Sequence, residues 1–280
     1  MVYVSTACLK GRTGTFETDF YKVLQTYVDA GIRQIELGSA HFYFSDLSRL
    51  FKMQKEHELT FTVHTFFPPL KEQLWVNIAS TNKDILDKSL KVALNAVELC
   101  RKVEAPIYTI HAGYLVDFKA QHELEAVTKP VPYDQAHAIF MESLKKILSK
   151  AEDNDITIGL ETQHDKHGEM LMAQSEEFIK LFSEIKSKNL GILFDFGHVY
   201  SNAGYYGFKP KDYIDAIKKW IIAFHIHEGD GRDAHLKVSS LDFFSDFPKE
   251  FFKDKFLTLE VNRLKIDEIL QQQKLLEGLE

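Results

Sequence analysis

Histidines and carboxylates recur at one kind of position in this sequence, the end of a short apolar segment. The histidines are His64, His111 and His225, and the carboxylates are Glu161, Asp195 and Glu260. A single histidine at such a position is usually satisfied by a hydrogen bond. Six ionisable groups beside buried segments need pairing, neutralisation or a metal, because burying an isolated charge costs several kcal/mol. We therefore predict that they share a divalent cation.

Two further pairs of acid and histidine have spacings that suit chelation. Asp195 and His198 flank Gly197, and a tight glycine-containing turn there would let both side chains face one cavity. Asp233 and His235 are two residues apart, which places their side chains on one face of an extended segment. Alone, the second pair would equally suit a turn-capping acid beside an exposed histidine. Imidazole and carboxylate ligands without thiolate suit Zn²⁺, Mn²⁺ or Fe²⁺, and the identity of the ligands does not choose among these ions. We expect Zn²⁺, with Mn²⁺ and Fe²⁺ as alternatives.

The elements that must position these residues alternate along the whole chain. Apolar, β-branched runs bounded by turn residues predict eight strands. They are Val2–Ala7, Gln34–Gly38, Thr60–Thr65, Ile107–His111, Thr157–Glu161, Gly191–Asp195, Ile221–His225 and Phe256–Val261. Helical spacing of apolar residues between the strands predicts helices over Phe20–Val28, Leu86–Leu99 and Ile139–Leu148, and another that starts at Pro210.

The longest irregular segments all follow strands, at residues 65–81, 112–133, 162–173 and 227–255. A (β/α)₈ TIM barrel builds its site from the loops at the C-terminal ends of its strands. The pattern therefore predicts an α/β fold with a single TIM-barrel domain over residues 1–280 and a metal site at that end. A doubly wound open sheet is the alternative, but Leu9–Gly14 matches its glycine-rich phosphate loop poorly.

Composition limits the class of protein and its partners. Of 280 residues, 45% are hydrophobic and 27% are charged, which excludes a disordered or low-complexity chain. A net charge of −7 disfavours nucleic acid as a partner. Cys8 and Cys100 are too few for a disulfide framework, and the sequence shows neither a signal segment nor a bilayer-spanning apolar run. We expect a cytoplasmic protein that does not enter a membrane.

The order and spacing of the motifs resemble the superfamily of xylose-isomerase-like TIM barrels. This superfamily includes the sugar phosphate isomerases and epimerases and the apurinic endonuclease IV group, or AP endonuclease family 2. The resemblance covers nearly the whole chain and rests on Val63–His64, Ile110–Gly113, Gly159–Thr162, Asp195–His198, His225–His235 and Leu259–Glu260. It implies a TIM barrel that holds metal ions at the C-terminal ends of its strands.

In the endonuclease branch, the matching positions imply three zinc ions. The resemblance assigns His64 and His111 to one ion, shared with Glu161; Asp195, His225 and Glu260 to a second; and His198, Asp233 and His235 to the third. The mononuclear isomerase branch needs only the second set and Glu161, and its two glutamates double as the acid and base. Three divalent ions would outweigh the four carboxylates and attract an anionic substrate.

Two reactions suit these ligands. Clustered ions favour metal-hydroxide hydrolysis of a small sugar-phosphate or phosphoester substrate, because neighbouring ions stabilise the attacking and leaving oxygens. The nine predicted ligands rank this reaction first. The alternative is a mononuclear sugar (phosphate) isomerase or epimerase in which Glu161 and Glu260 are the acid and base, and five ligands then lack a role. A true DNA endonuclease and a catalytically silent metal-binding barrel rank lower.

Substrate contacts are predicted beside the metal ligands. Ile35–Gly38 resembles the sugar-enzyme branch, in which a carboxylate after the second strand, here Glu36, contacts a sugar hydroxyl. Because the DNA-gripping loops of the nucleases are not recognisable, a small anionic or sugar-like substrate is favoured over nucleic acid. Arg232 and Lys237 are candidates to bind a phosphate. The loop residue His227 is expected to be exposed to solvent.

Overall fold

Eight parallel strands close into a barrel in the computed structural model of this chain, which describes residues 1–11, 17–38, 41–71, 74–120, 123–165, 168–229, 234–245 and 247–279. Ten strands are described, eight in the barrel and two, β5 and β6, in a separate hairpin. They are β1 (Val2–Ser5), β2 (Gln34–Leu37), β3 (Thr60–His64), β4 (Ile107–Ile110), β5 (Phe118–Ala120), β6 (Glu123–Ala126), β7 (Thr157–Glu161), β8 (Leu190–Asp195), β9 (Ile221–Ile226) and β10 (Phe256–Leu259). The order around the barrel is β1-β10-β9-β8-β7-β4-β3-β2. The predicted (β/α)₈ barrel is therefore confirmed.

Helices connect the strands around the outside of the barrel. They are α1 (Phe20–Asp29), α2 (Ser48–His57), α3 (Lys83–Val103), α4 (Tyr133–Glu152), α5 (Ser175–Glu184), α6 (Phe196–Tyr206), α7 (Pro210–Ile217) and α8 (Ile266–Leu276). Short 3₁₀ turns lie at Lys218–Trp220, Leu241–Phe244, Lys249–Phe251 and Glu277–Leu279. Among the described helices, none has the length and apolar content that crossing a bilayer requires.

Apolar side chains on both faces of the strands hold the barrel together. All six residues of β8 are buried, as a barrel strand requires when it packs against the interior on one side and helices on the other. Helix α1 buries Phe20, Val23, Leu24, Tyr27 and Val28, a spacing that forms one apolar stripe. Asp19 caps this helix by accepting a hydrogen bond from the Lys22 backbone N–H at 3.1 Å. The packed strands and helices thus fix the positions of the side chains at the strand ends.

The segment between β4 and α4 departs from the prediction of irregular structure. Strands β5 and β6 form an antiparallel hairpin within it. Asp117, directly before β5, is buried and accepts hydrogen bonds from Asn77 Nδ2 and Ser80 Oγ, both at 2.9 Å. The residues of β6 are Glu123–Ala126, mostly good helix formers, so local preference does not indicate a strand there. Pairing with β5 decides its conformation.

The start of α6 also differs from the prediction. Asp195–His198 forms no tight turn, since the helix begins at Phe196 directly after β8. Asp195 is the N-cap residue, and its Oδ1 accepts a hydrogen bond from the His198 backbone N–H at 2.7 Å. Because β8 runs directly into α6, Asp195 caps the helix and no separate turn forms between the two elements. Asp195 and His198 still face each other, with His198 Nδ1 3.7 Å from Asp195 Oδ1.

Candidate metal centre

Six predicted ligands come from the C-terminal ends of barrel strands. They are His64, His111, Glu161, Asp195, His225 and Glu260, each within a strand's last two residues or directly after it. Register places Asp195 beside His225 across β8 and β9. Since parallel strands all end at the same rim, these side chains share one mouth of the barrel.

The inner group consists of Glu161, Asp195, His225 and Glu260. One ligand atom from each residue lies within 4.8 Å of the others. His225 Nδ1 lies 2.8 Å from Glu260 Oε2, 3.7 Å from Glu161 Oε1 and 3.7 Å from Asp195 Oδ2. Glu260 is the most open of the four, with 12% of its side chain exposed. Three carboxylates and one imidazole around one point can hold a divalent cation.

The two nitrogens of His225 have different partners. Nε2 lies 3.1 Å from Glu36 Oε2, and because a carboxylate oxygen accepts, Nε2 carries the proton and donates it. In the neutral ring, Nδ1 then presents a lone pair to three carboxylates. Nδ1 of His225 can satisfy these carboxylates in two ways: with a second proton donated to Glu260 Oε2, 2.8 Å away, or with its lone pair on a cation that it shares with them. These residues fit a cation, which would accept their lone pairs together.

Electrostatics favour positive charge at the inner group. Burial by itself would lower the pKa of His225, but the carboxylates of Glu260 and Glu36 outweigh burial and hold that pKa well above its ordinary value. Burial would raise the pKa of Glu161, but His111 and His225 outweigh burial and hold it well below the ordinary value. The metal-free group therefore retains a proton on His225, and a cation would take its place.

A second group joins the inner group at Glu161. His64 Nε2 and His111 Nε2 lie 3.5 Å and 3.1 Å from Glu161 Oε2. Nδ1 of His64 lies 2.9 Å from Thr109 Oγ1, and Nδ1 of His111 lies 2.7 Å from the Tyr114 hydroxyl. Both rings are thereby held with Nε2 towards the carboxylate. The ligand atoms of His64, His111 and Glu161 lie within 4.8 Å of one another.

The outer group consists of His198, His227 and His235, whose ligand atoms also lie within 4.8 Å of one another. Each ring has Nδ1 near a backbone carbonyl, which can only accept a hydrogen bond and so places a proton on Nδ1. The carbonyls belong to Thr162, Glu228 and Glu260, at 2.9, 3.2 and 2.8 Å. The rings of His227 and His235 are stacked, with centroids 3.9 Å apart. His227 Nε2 also lies 3.0 Å from Asp195 Oδ2, which links this group to the inner one.

Comparison with known proteins agrees with the barrel fold. The family model described as a xylose isomerase-like TIM barrel matches residues 24–261. The chain belongs to the xylose isomerase-like TIM barrel family. An uncharacterized protein of Methanocaldococcus jannaschii is 26% identical over 205 residues, covering 72% of this chain and 62% of that protein. This chain thus matches less than two thirds of that relative's length.

Two solved structures show the same fold as this xylose isomerase-like barrel. The crystal structure of a D-tagatose 3-epimerase-like protein has a TM-score of 0.74 and 20% identity, covering 99% of this chain and 96% of that chain. A D-allulose 3-epimerase from Methylomonas sp., in complex with D-allulose, has a TM-score of 0.69 and 15% identity, covering 99% of this chain and 95% of that chain.

The xylose isomerase-like barrel brings eight of the nine predicted metal ligands into these three groups. They are His64, His111, Glu161, Asp195, His198, His225, His235 and Glu260. The ninth, Asp233, lies outside the described residues. Their function as metal ligands stays a prediction.

The predicted substrate contacts are placed differently. Glu36 is only 1% exposed, and its Oε2 lies 3.1 Å from His225 Nε2, so β2 directs this side chain into the barrel interior towards a predicted metal ligand. Its contact with a sugar hydroxyl stays a prediction. Lys237 is exposed, and its Nζ donates a hydrogen bond to Glu268 Oε1 at 3.0 Å. Arg232 lies outside the described residues.

The prediction that His227 is exposed is wrong, since the structure buries this residue completely. Space for its ring exists because Gly197 has no side chain: a Cβ there would lie 2.0 Å from His227 Cε1. A signal for His227 was present in the sequence. Residues two apart in an extended segment share a face, so His227 follows His225 towards the mouth.

Proposed function

We propose that this protein is a divalent-metal-dependent isomerase or epimerase that acts on a small sugar. The observation that carries the proposal is the position of two glutamates around one imidazole. Glu161 and Glu260 lie 3.7 Å and 2.8 Å from His225 Nδ1. Glu161 ends β7 and Glu260 follows β10, so the two carboxylates approach from different sides of β8 and β9.

This arrangement suits proton transfer at a sugar carbon. A cation held by the inner group would polarise neighbouring hydroxyl and carbonyl oxygens and so acidify the C–H bond at the hydroxyl-bearing carbon. One glutamate in its ionised form removes that proton. Despite burial, neighbouring histidines hold the pKa of both carboxyls below its ordinary value, so the other glutamate must first take up a proton before it returns one to the carbon. Return from the opposite face inverts the carbon, which is epimerisation. Return at the neighbouring carbon, with transfer of the hydroxyl proton, exchanges hydroxyl and carbonyl, which is isomerisation.

The comparisons support this function over phosphoester hydrolysis. The names of two similar structures, a D-tagatose 3-epimerase-like protein and a D-allulose 3-epimerase, support a small sugar substrate. Nothing in the comparisons supports a nucleic-acid substrate. The donor set of imidazoles and carboxylates without thiolate is compatible with Zn²⁺, Mn²⁺ or Fe²⁺.

Hydrolysis, ranked first from the sequence, is not supported by these comparisons but retains one observation in its favour. Two further ligand groups adjoin the inner group, and a mononuclear isomerase does not need them. Metal content separates the two reactions. One bound ion per chain with epimerase activity supports the isomerase, whereas two or three ions with phosphoesterase activity support the hydrolase.

Glu161→Gln and Glu260→Gln test the roles of the two carboxylates. Each variant should lower epimerisation of ketoses by about 10²–10⁴-fold, the usual contribution of a positioned acid or base. Proton exchange between substrate and D₂O, followed by NMR, separates the two roles. The variant that loses only the proton donor still has the base, so it should exchange the substrate proton with D₂O without inverting the carbon.

Glu176→Gln serves as the control, because Glu176 is an exposed carboxylate outside the three groups. It should retain wild-type turnover and metal content. Metal affinity of all variants is measured by titration calorimetry, so that loss of a ligand is distinguished from loss of the base. Full epimerase activity in both Glu161→Gln and Glu260→Gln contradicts the proposal.

A further inference from the structure

A groove of about 690 Å³ opens beside His235 at the mouth of the barrel. We call it the basic groove, and its defining residues are Lys10, His235, Lys237, Arg263, Lys265 and Glu268. They come from three separate parts of the chain: the segment after β1, the segment after β9, and the segment from β10 into the first turn of α8. The groove therefore lies at the end of the barrel that carries the inner group and shares with it the ends of β9 and β10.

Positive charge collects in the basic groove. Among its described residues, four carry cationic side chains and Glu268 carries the carboxylate. Lys237 Nζ donates to Glu268 Oε1 at 3.0 Å, so these two charges offset each other. Lys10 and Lys265 are exposed and add two further cationic side chains to the groove, on a chain whose net charge is −7. An anion on this protein is drawn to such a place.

Backbone hydrogen bonds hold the walls of the groove together. The Lys10 N–H donates to the Leu264 carbonyl at 2.7 Å, and the Leu264 N–H donates to the Cys8 carbonyl at 2.7 Å. Lys10 is thereby fixed next to the segment that carries Arg263 and Lys265. Arg263 has a φ of 61°, in the left-handed region that non-glycine residues rarely adopt, so the surrounding contacts determine its backbone.

His235 connects the groove to the inner group. It lines the groove, donates from Nδ1 to the Glu260 carbonyl at 2.8 Å, and lies 3.6 Å from Glu260 Oε2. A small molecule can therefore occupy the groove with one end and reach the proposed acid or base with the other. His235 also has a left-handed φ of 46°, and its carbonyl accepts from the Asn262 N–H at 3.1 Å.

We propose that the basic groove binds the phosphate of a phosphorylated sugar whose carbon skeleton lies at the inner group, an inference that rests on the proposed function. Phosphate suits the groove better than carboxylate, because it carries about −1.5 to −2 charges at pH 7 and offers three acceptor oxygens to several cations. Lysine and arginine both bind phosphate oxygens through charge-assisted hydrogen bonds.

The test compares binding with turnover in the wild type and in the double variant Lys10→Gln/Lys265→Gln. Titration calorimetry is performed with inorganic phosphate, D-ribulose 5-phosphate, D-ribulose, D-fructose 6-phosphate, D-fructose and D-glucuronate. The wild type should bind at least one ketose phosphate about 10-fold or more tighter than the same ketose, as charge-assisted hydrogen bonds predict. The double variant should lose that preference and leave binding of the free ketose unchanged.

Lys91→Gln is the matched control, because Lys91 lines a different groove, beside Leu74 and Val92. Its preference for the ketose phosphate should equal that of the wild type. Equal binding of phosphorylated and free ketoses by the wild type, tighter binding of glucuronate, or an unchanged preference in the double variant overturns the proposal. A preference for ketose phosphate without epimerisation would contradict the proposed function and support phosphate binding in the groove. Equal epimerisation of free and phosphorylated ketoses would support the proposed function and contradict phosphate binding in the groove.

Discussion

At the scale of single residues, His225 organises the candidate site. Nδ1 faces the three carboxylates of the inner group, and Nε2 donates to Glu36. A carboxylate behind a ligating histidine fixes its tautomer and raises its basicity. Glu36 therefore positions His225 and makes it a better ligand. These two residues are 189 positions apart, so no local sequence pattern links them.

Glu36→Gln should weaken divalent-ion binding about 10- to 100-fold, as the loss of an outer partner of a metal ligand usually does. The amide oxygen of glutamine can still accept the proton of His225 Nε2, but the negative charge that raises basicity is gone. Titration of the metal-free protein with Zn²⁺ and Mn²⁺ measures the change, and circular dichroism checks the fold.

Thr258→Val is the matched control for this residue. Thr258 Oγ1 lies 3.4 Å from Glu36 Oε2, so the substitution alters the same buried contact without removing charge. Its effect on metal affinity should be at least several-fold smaller. Unchanged metal affinity in Glu36→Gln would show that the contact with His225 is only structural.

At the scale of elements, α6 packs closely against the end of β9 because Gly197 has no side chain. Gly197, in the first turn of α6, leaves room for His227, which follows β9. A Cβ at position 197 would lie 2.0 Å from His227 Cε1 and 2.4 Å from Nδ1. His227 could not then remain 3.0 Å from Asp195. The outer group therefore depends on the close approach of these two elements.

Gly197→Ala should destabilise the protein by about 1–3 kcal/mol, the cost of overpacking a filled site. Gly204→Ala in the same helix is the control, because a Cβ there meets nothing within 4 Å. It should stabilise by about 0.5–1 kcal/mol, as replacement of glycine within a helix normally does. Urea unfolding measures both, and equal signs for the two variants would contradict the packing argument.

Particular elements show what the sequence could and could not predict. The barrel strands were predictable, each within two residues of its expected bounds, because apolar runs end in ionisable residues where loops begin. The hairpin of β5 and β6 was not, because its residues acquire strand conformation only by pairing with each other. The helical start of α6 is not predictable from the sequence, because Gly197 suggests a turn. In the structure, the absence of a side chain at Gly197 leaves room for the His227 ring.

At the scale of the whole molecule, opposite charges are separated at one mouth of the barrel. The inner group combines three carboxylates with one imidazole, and the basic groove lies directly beside it. The two regions meet at His235 and Glu260. A substrate with an anionic end and a neutral sugar end would have only one favourable orientation in this field. The charge pattern can thus select which carbon faces the two glutamates.

The same charges predict how stability of the metal-free protein depends on pH. Despite burial, neighbouring histidines lower the pKa of Glu161 in the folded state, so its contribution is present above the ordinary value of 4.5 and is lost as pH falls through the folded-state pKa. Despite burial, carboxylates raise the pKa of His225, so its contribution is present below 6.5 and is lost as pH rises through the folded-state pKa. Stability should therefore be greatest between about pH 4.5 and 6.5.

A saturating divalent ion should remove the decline on the alkaline side, because the ion replaces the proton on His225 and binds only the folded chain. Calorimetric melting from pH 4 to pH 9, with chelator and then with Zn²⁺ or Mn²⁺, measures both curves, and about 3 °C corresponds to roughly 1 kcal/mol at this size. His225→Gln should also lose the decline, whereas His57→Gln on α2 should keep it. A metal-free melting temperature that rises between pH 6.5 and 8.5 would show that no proton is held between His225 and its carboxylates, and the case for a cation there would lose its electrostatic basis.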